Sequence, residues 1–438
     1  MYSNTCAVLH GPGDLRIESH DITPPQAGEV QIRIEQTGLC GSDLHYYLHG
    51  RNGDFALREP MCLGHESAGE VVAIGPASSS TSSEPSATST PAPLGVLKVG
   101  DKVAVEAGVP CRLIECERCA EGRYNLCPRL RFASSAKTFP HLHGTLQRLI
   151  NWPAWLVHKL PSTLSTTHGA LLEPLSVVLQ ALSRVSFHPG QTVLIMGAGA
   201  VGQLACAASK VQGAAYVAAI DIDSDRLEFA KKSEWADAIF TLPRVPNGTQ
   251  FASDASGMDE VQRRRAQRAQ EDQDGMSAAK ARAAEALQHF ENDEAKIQAG
   301  FDVVLECTGV PSCVALSIFM ARPGAKVGLI GMGHPIQTLP IGAASLREVD
   351  LVGVFRYAHQ YPRAIDLLSR WHSSGLSVGT SAEDGRAASV VQAAGLERLI
   401  SHTFSLEDAQ QAFETLRNGK SADGRGVIKV FIENASPK

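Results

Sequence analysis

The distribution of apolar and polar positions divides the chain into two parts. Residues 30–38 alternate apolar and polar side chains, which predicts a half-buried strand. Shorter strand-like runs follow at 69–75 and 101–108, and glycine and proline recur through residues 1–160. This pattern is typical of a β-rich domain, which we predict for the N-terminal part.

From about residue 177 the apolar runs become continuous instead of alternating. They are TVLIMG (192–197), AYVAAID (215–221), FDVVLECTG (301–309), AKVGLIGMG (325–333) and LVGVFRY (351–357). Strands that are buried on both faces have such runs, and helical stretches lie between several of them. For the second part we therefore predict βαβ units that form a parallel sheet, and we expect the fold class to be α/β.

Three polar segments interrupt these patterns. Residues 76–93 are almost entirely Ser, Thr, Pro and Ala, which favours a surface insertion, with a phosphorylated regulatory loop as the alternative. Residues 244–299 are rich in Ala, Glu, Gln and Arg, which favours a helix. The RRRAQR run inside this segment is followed by mixed charges, so it indicates a solvated helical face better than a nucleic-acid site. Residues 373–389 predict a third loop.

Composition narrows the class of protein. A chain of 438 residues favours two domains, and 44% apolar with 20% charged residues is ordinary for a soluble globular protein. The net charge of −6 gives no reason to expect nucleic acid or a membrane surface as a partner. We see neither a secretory signal nor an apolar run of membrane-spanning length, so we expect a cytoplasmic protein. Without a secretory signal, the clustered cysteines favour metal ligands over disulfides.

A glycine motif follows the first continuous apolar run. Gly197, Gly199 and Gly202 form G-x-G-x-x-G between a predicted strand and a predicted helix, the arrangement that admits a pyrophosphate at the helix N-terminus. The next run ends at Asp221, about 20 residues further on, where a carboxylate can bind both ribose hydroxyls and repel a 2′-phosphate. This favours NAD over NADP, although Arg226 could weaken that choice or stack on the adenine. The alternative is a glycine-rich turn without a nucleotide.

Two groups of residues could bind metal. One short stretch contains four cysteines, which matches a closed structural zinc site, with reduced surface cysteines as the alternative: Cys111, Cys116, Cys119 and Cys127. Elsewhere, Cys40 precedes His45 and His49, whereas His65 and Glu66 lie between glycines further along the chain. From the residues alone, Cys40 could have either neighbours or distant residues as partners.

A resemblance becomes specific when these motifs are taken together. The segments GLCGSDLHYYLHGRNGDF, LGHESAGEV, GALLEPLSV (169–177), GAGAVG and GVFRY (353–357), with the four-cysteine lobe, resemble the zinc-dependent medium-chain dehydrogenases. Within that superfamily they are most similar to sorbitol (L-iditol) and xylitol dehydrogenases, especially fungal ones. The resemblance covers nearly the whole chain except the three polar segments.

The resemblance implies a fold and an assembly. We expect a β-rich GroES-like catalytic domain at residues 1–176, a doubly wound Rossmann NAD-binding domain at 177–355, and a return to the catalytic domain at 356–438. The family is commonly tetrameric, which implies a homo-oligomer.

The resemblance also implies roles for individual residues. The catalytic zinc falls on Cys40, His65 and Glu66, with Glu173 holding the zinc water or approaching the metal. His45 then assists proton release through the Ser42 hydroxyl, and neither His45 nor His49 is a ligand. The polyol would contact Tyr46, Glu173, Arg356 and Tyr357. The cofactor site would be lined by the glycine motif with Val201, Asp221, Arg226, Ile330, Met332, Val354, Phe355 and Arg356.

Some of these roles have alternatives. Tyr46 and Tyr357 could serve packing, and the apolar residues of the cofactor site could do the same. The lobe departs from the family, because Arg112–Glu115 separate its first two cysteines more widely than is usual. A structural zinc is therefore less strongly implied than the catalytic one.

The implied reaction is the reversible oxidation of a polyol secondary alcohol to a ketose, with zinc as Lewis acid and NAD as hydride acceptor. Three alternatives remain at this point. The first is another substrate of the same superfamily, such as L-arabinitol, a different secondary alcohol or threonine. The second is a zinc-free reductase, which lacks the ligands present here. The third is a non-catalytic NAD-binding protein on the same fold.

Overall fold

The computed structural model describes residues 2–77, 97–243, 260–293, 297, 299–374 and 395–434. The chain separates into two compact units, Met1–Gln180 with Phe355–Lys438, and Ala181–Val354. Most of the two predicted loops, at 78–93 and 375–389, lies outside the described residues. No helix in the described ranges has the length and apolar character needed to span a membrane.

The first unit begins with short strands and three helices. The strands are β1 (Tyr2–Gly11), β2 (Asp14–Ile22), β3 (Glu29–Gly38), β4 (Arg51–Asn52), β5 (Phe55–Ala56), β6 (Met61–Cys62), β7 (Glu66–Ile74), β8 (Lys102–Val105), β9 (Gly108–Val109), β10 (Arg131–Phe132), β11 (Leu149–Pro153) and β12 (Val157–Lys159). The helices are α1 (Gly41–His49), α2 (Glu117–Ala120) and α3 (Thr166–Arg184).

The second unit is built from alternating strands and helices. The strands are β13 (Thr192–Met196), β14 (Tyr216–Asp221), β15 (Ala238–Thr241), β16 (Phe301–Glu306), β17 (Ala321–Leu329) and β18 (Asp350–Gly353). The helices are α4 (Ala200–Val211), α5 (Ser224–Lys232), α6 (Glu260–Asp293), α7 (Pro311–Met320) and α8 (Ile341–Ser345). The chain then returns to the first unit with α9 (Tyr361–Ser374), β19 (Ile400–Ser405), α10 (Ala409–Asn418) and β20 (Lys429–Glu433).

The first unit is β-rich, as the alternating pattern predicts. Its main sheet has the order β12-β8-β7-β3-β20-β19, and β11 also pairs with β3. Because β3 has neighbours along both edges, its burial is more continuous than the predicted half-buried alternation. Gln31 is buried with the apolar positions, where its amide donates to Asn151 Oδ1 at 3.0 Å. Strands from the N-terminus and C-terminus of the chain therefore form a single sheet in this unit.

The second unit contains the predicted parallel sheet. The strand order over the described residues is β15-β14-β13-β16-β17-β18, and all neighbours run parallel. The order reverses between β13 and β16, which is the doubly wound arrangement whose carboxyl edge forms ligand sites at that point. The fold class predicted from sequence is confirmed.

The helix predicted in the charged segment is present as α6. Along its described side chains, Ala279, Ala283, Ala286 and Phe290 are buried at helical spacing in the core of the second unit. The RRRAQR run lies near its start, where no side chain is described. One face of the described part of this helix is therefore part of the core. The prediction of a solvated face at the RRRAQR run concerns side chains outside those that the structure describes.

Candidate metal centre and cofactor site

Cys40, His65 and Glu66 come together in the first unit. Cys40 immediately precedes α1, whereas His65 and Glu66 lie where the chain enters β7. Their ligand atoms all lie within 4.8 Å of one another, and His65 and Glu66 are buried. A thiolate, an imidazole and a carboxylate are a donor set that suits zinc, so the residues fit the metal that the resemblance implies.

Asp43 orients this cluster from the first turns of α1. Its Oδ1 lies 3.2 Å from Nδ1 of His65 and accepts a 2.6 Å hydrogen bond from the Ser134 hydroxyl. Burial by itself would raise the pKa of Asp43, but the charge of His65 and these hydrogen bonds outweigh it and lower the value. A carboxylate on Nδ1 leaves Nε2 of the imidazole for a metal, which is the usual arrangement around zinc ligands.

Glu66 is paired with a buried lysine on β20. The Lys429 ammonium forms an ion pair with Glu66 Oε2 and donates to the Leu39 carbonyl at 3.0 Å. Burial by itself would lower the pKa of Lys429, but the charges of Glu66 and Cys40 outweigh it and raise the value. Gly38 on β3 leaves the space for this pair, because a Cβ there would collide with the Glu66 carboxylate and lie 2.9 Å from Lys429 Cε.

Glu173 lies within α3, is buried, and feels the charges of His65 and Glu66. It is not one of the residues whose ligand atoms lie within 4.8 Å of one another. Burial raises the pKa of Glu173 to about 7, with the charge of His65 opposing the rise and that of Glu66 adding to it. A carboxyl group with this pKa exists in both protonation states near neutral pH. It can therefore accept or release a proton beside the metal ligands.

The segment 134–137 connects α1 to the other polar residues of the site. The Tyr46 hydroxyl accepts a 2.9 Å hydrogen bond from the Ala136 amide. The Ser135 hydroxyl accepts a 3.4 Å hydrogen bond from Nη2 of Arg356. Two of the residues predicted to bind substrate, Tyr46 and Arg356, are thus held by the same short segment.

Arg356 has a backbone conformation that is rare for a residue with a side chain. Its φ is 51°, in the left-handed region, and such strain persists where the surroundings enforce it, often at functional sites. The guanidinium lies over the Phe132 ring, 3.7 Å from the centroid. Burial lowers the pKa of Arg356 to about 10, and among the described residues its buried Nη1 has no hydrogen-bond partner. Nη1 is therefore a donor available to a ligand.

The neighbouring Tyr357 has a buried side chain whose hydroxyl makes no hydrogen bond of normal geometry within the described chain. Burial and the charge of Glu173 raise the pKa of Tyr357 well above its ordinary value. The phenol is therefore neutral, and it can donate to a hydroxyl group of a ligand.

The predicted proton route from Ser42 to His45 is not formed as a hydrogen bond in this structure. The Ser42 hydroxyl lies 3.5 Å from Nε2 of His65. The ring of His45 lies 6.0 Å from that of His49, and both histidines are exposed. The structure thus brings Ser42 to the metal cluster and leaves His45 on the outer side of α1.

The four lobe cysteines form a second compact cluster. Sulfur–sulfur distances are 3.8 Å for Cys111–Cys119, 3.9 Å for Cys116–Cys127 and 3.5 Å for Cys127–Cys111. Thiolates about 2.3 Å from a tetrahedral zinc would be separated by roughly 3.8 Å. The lengthened spacing from Arg112 to Glu115 is accommodated, and the cluster fits a closed zinc site.

The glycine turn of the second unit has the geometry expected for a dinucleotide. Gly197 has φ 95°, and a Cβ at Gly202 would collide with the Gly197 carbonyl. A Cβ at Gly199 would meet nothing within 4 Å, and Gly199 caps α4 without a side-chain hydrogen bond. The N-terminus of α4 is therefore open to a pyrophosphate. Val201 lies in the first turn of this helix.

Asp221 ends β14 and contacts the turn directly. Its carboxylate accepts hydrogen bonds from the Ala198 amide at 2.5 Å and from the Asp223 amide at 2.9 Å. Arg226 lies in α5 with its Nε 3.8 Å from Asp223, a distance typical of a weak ion pair. Asp221 therefore both shapes the turn and presents a carboxylate at its edge.

Three further residues of the predicted cofactor set, Ile330, Met332 and Val354, follow the carboxyl ends of β17 and β18 within the second unit. The Ile330 amide donates to the Glu306 carbonyl at 2.9 Å, and Val354 donates to Leu329 at 3.1 Å. Met332 in the second unit is 57% exposed, and Phe355 in the first unit is 37% exposed. Large exposed apolar side chains are compatible with a role in binding a ligand.

The sequence analysis missed two residues that contact the metal cluster, Asp43 and Lys429. Asp43 has a signal, because it lies between Cys40 and His45 in the same motif and could have been expected to orient a ligand. Lys429 lies hundreds of residues from Glu66 along the chain, and no local pattern distinguishes it from a surface lysine. Only the pairing of β20 with β3 brings it to the site.

The family models match both units. A model described as "Alcohol dehydrogenase GroES-like domain" matches residues 26–162. A second model, described as "Zinc-binding dehydrogenase", matches residues 200–370. Together they agree with the GroES-like and Rossmann parts predicted from the sequence.

Relatives match along nearly the whole chain. Sorbitol dehydrogenase from Gallus gallus is 34% identical over 417 residues, covering 95% of this chain and 94% of that protein. A relative from Emericella nidulans named "Probable D-xylulose reductase A" is 34% identical over 419 residues, which cover 95% of this chain and 94% of that protein.

Solved structures share the fold. An Escherichia coli oxidoreductase/dehydrogenase of unknown specificity superposes with a TM-score of 0.72 at 27% identity, covering 99% of this chain and all of that one. L-idonate 5-dehydrogenase from Escherichia coli has a TM-score of 0.71 at 24% identity, covering 99% of this chain and 98% of that one. At this identity the comparison shows only that the two proteins share a fold.

The resemblance inferred from motifs is thus confirmed by similarity over nearly the whole chain. The chain also contains residues suited to bind the zinc and the nicotinamide cofactor of the family. On the family models and on the relatives at 34% identity, this chain belongs to the zinc-dependent medium-chain dehydrogenases, the family that includes the sorbitol dehydrogenases.

Proposed function

We propose that this dehydrogenase oxidises a secondary alcohol of a polyol to the ketose, reversibly, with NAD as cofactor. The observation on which the proposal depends is the Cys40–His65–Glu66 cluster, which lies in the same unit as a set of polar side chains suited to hydroxyl groups. The names of the relatives, sorbitol dehydrogenase and D-xylulose reductase, support a polyol as the substrate.

Cys40, His65 and Glu66 would hold the catalytic zinc, and Glu173, whose pKa responds to the charges of His65 and Glu66, would act on the zinc-bound water. When bound, zinc supplies a Lewis acid beside the reacting hydroxyl, and NAD supplies the hydride acceptor. Asp43 fixes the tautomer and orientation of His65 through its contact with Nδ1. Lys429 offsets the negative charge of Glu66 in the buried cluster.

The substrate would be positioned by Tyr46, Glu173, Arg356 and Tyr357. Nη1 of Arg356, which has no hydrogen-bond partner among the described residues, and the buried Tyr357 hydroxyl beside Glu173 can bind neighbouring hydroxyls of a polyol chain. An alcohol without those hydroxyls would leave buried donors unpaired, which costs binding free energy. This arrangement favours polyols over simple alcohols such as ethanol.

Proton transfer would use Glu173, whose pKa of about 7 allows both protonation states near neutral pH. A second exit through Ser42 to His45 stays a prediction, because it requires a contact that the present arrangement of α1 does not make. The first route uses a buried carboxyl group that already responds to the charges of His65 and Glu66.

The cofactor would lie along the carboxyl edge of the parallel sheet. Gly197, Gly199 and Gly202 admit the pyrophosphate, and Asp221 accepts hydrogen bonds from the adenosine ribose. A carboxylate there repels a 2′-phosphate, which supports NAD over NADP. Within the second unit, the cofactor's other contacts would come from Val201, Arg226, Ile330, Met332 and Val354. Contacts with Phe355 and Arg356 stay predictions from the family resemblance.

The cysteine lobe would hold a second, structural zinc, for which the sulfur–sulfur distances provide the support. We further propose a homo-oligomer, on the basis of the family resemblance, and expect light scattering to give a mass that is a multiple of 46.6 kDa.

The direct test is NADH formation by the purified protein with sorbitol, xylitol, L-arabinitol, ethanol and threonine, with and without a chelator. We expect turnover of at least one polyol, abolished by chelation and restored by zinc, and little turnover of ethanol. Turnover of threonine or ethanol alone would contradict the polyol assignment. Zinc and NAD binding without turnover of any alcohol would favour a non-catalytic protein.

A further inference from the structure

Lys137 lies beside the residues proposed to bind substrate and has no role in the mechanism above. It ends the segment 134–137, which is anchored to the site at two points. The Ser134 hydroxyl donates to Asp43, and the Ser135 hydroxyl accepts from Arg356. The position of the half-buried Lys137 side chain is therefore determined by the same contacts that form the site.

Lys137 and Arg356 place two positive charges around one aromatic ring. The Phe355 centroid lies 4.8 Å from Cζ of Arg356 and 5.8 Å from Nζ of Lys137. Burial and the charge of Arg356 both lower the pKa of Lys137, as expected for like charges held close together. Within the described chain Lys137 forms no salt bridge with a carboxylate.

The other charges near this pair do not neutralise both cations. The charge of Glu173 raises the pKa of Arg356 against the effect of burial. The Cys127 sulfur of the lobe raises the pKa of Lys137, but burial and the charge of Arg356 have larger effects in the opposite direction. Nη1 of Arg356 and the buried hydroxyl of Thr138, the residue that follows Lys137, have no hydrogen-bond partner among the described residues. Neither Lys137 nor Arg356 forms a salt bridge with a carboxylate of the described residues, so an anionic ligand could complete the charge pairing and the hydrogen bonding here.

We propose that the substrate is a polyol that bears an anionic group, a phosphate or a carboxylate, bound by Lys137 and Arg356. This inference rests on the proposed function and narrows its substrate class. Arg356 offers its unpaired Nη1 donor and its charge to such a group, and Lys137 adds a point charge. The reaction itself is unchanged, with hydride passing to NAD and the proton to solvent as the alcohol becomes a ketone.

The test compares kcat/KM for sorbitol, sorbitol 6-phosphate and gluconate in wild type, Lys137→Gln and Lys420→Gln. Lys420 is an exposed lysine of the same unit and is the matched control. We expect an anionic substrate to exceed sorbitol by roughly tenfold or more in wild type, and Lys137→Gln to remove roughly tenfold of kcat/KM for it. Added salt should also lower kcat/KM for the anionic substrate more than for sorbitol.

The control measurements distinguish this inference from other roles of Lys137. Unchanged KM for NAD, unchanged zinc content and unchanged kcat/KM for sorbitol in Lys137→Gln are the expected results. Sorbitol turnover without any preference for the phosphate or the aldonate would overturn the anionic class and leave the polyol assignment intact. A raised KM for NAD would assign Lys137 to the cofactor, and lost zinc would assign it to the lobe; either result overturns the proposal. Absence of turnover on every polyol would overturn the proposed function as well.

Discussion

At the scale of single residues, the chemistry of the site depends on side chains that are buried together and constrain one another. His65 is useful as a ligand only if its ring is fixed, and Asp43 fixes it from α1 while also accepting from the backbone amides of Cys40 and Gly64. Replacing such a carboxylate alters the ligand without touching the metal directly.

Asp43→Asn should lower zinc affinity about 10- to 100-fold, because the amide provides neither the charge nor the same acceptor geometry for Nδ1 of His65. Zinc content after dialysis against graded chelator measures the effect. Asp21→Asn, an exposed site on β2, is the control for general effects of charge removal. Wild-type zinc retention in Asp43→Asn would show that His65 is oriented by its other contacts.

Asp221→Ala should weaken NAD binding by roughly tenfold to a hundredfold. The variant would lose the proposed hydrogen bonds to the ribose together with the observed support of the glycine turn by the Ala198 and Asp223 amides. The variant should also discriminate less against NADP, since the repulsion of a 2′-phosphate disappears. Fluorescence titration with NADH and NADPH measures both effects. Equal affinities of wild type and variant for NADH would exclude the assigned role of Asp221.

At the scale of elements, the charged segment contributes more than its composition suggests. α6 is polar overall, yet its described part contains four buried residues, and three of them, Ala283, Ala286 and Phe290, belong to the core cluster of the second unit. Alanines at three of the four positions allow the helix to approach its neighbours closely. Phe290 is the one large side chain among the four, and its ring lies edge to face with that of Phe301, with 5.7 Å between the centroids. The helix is thus part of the core of the second unit.

Phe290→Ala should lower the free energy of unfolding by about 3–5 kcal/mol, as expected when a fully buried aromatic ring is removed. Gln288→Ala, on the exposed face of the same helix, should change it by less than about 0.5 kcal/mol. Calorimetry of both variants measures the difference. Similar melting temperatures for the two would mean that α6 is dispensable for the stability of the unit.

At the scale of the whole molecule, the two candidate zinc sites make separable predictions. We expect two equivalents of zinc per chain, one in the cysteine lobe and one on Cys40, His65 and Glu66. Cys119→Ser should retain one equivalent together with measurable turnover, whereas Cys40→Ser should lose the other equivalent and turnover. Atomic absorption with kinetics on the same preparations provides the measurement. Loss of all turnover in Cys119→Ser would make the lobe essential to the enzyme.

The sequence alone determined the family, the fold class and the parallel strands, because these depend on local information. Continuous apolar runs indicate strands buried on both faces, and G-x-G-x-x-G between a strand and a helix is characteristic of a dinucleotide-binding turn. The residues alone marked Cys40, His65 and Glu66 as candidate ligands, but only the resemblance implied that these three act together on one metal. Their assigned roles stay predictions that the experiments above address.

Only the tertiary structure decided which distant groups meet. Strand pairing brings Lys429 to Glu66, and the fold of the segment 134–137 brings Lys137 to Arg356. The burial of Gln31 and of one face of α6 likewise follows from neighbours along both edges of β3 and from the sheet beneath the helix. The physical reason is common to all of them: burial and charge pairing depend on contacts between residues far apart in sequence, which no local pattern encodes.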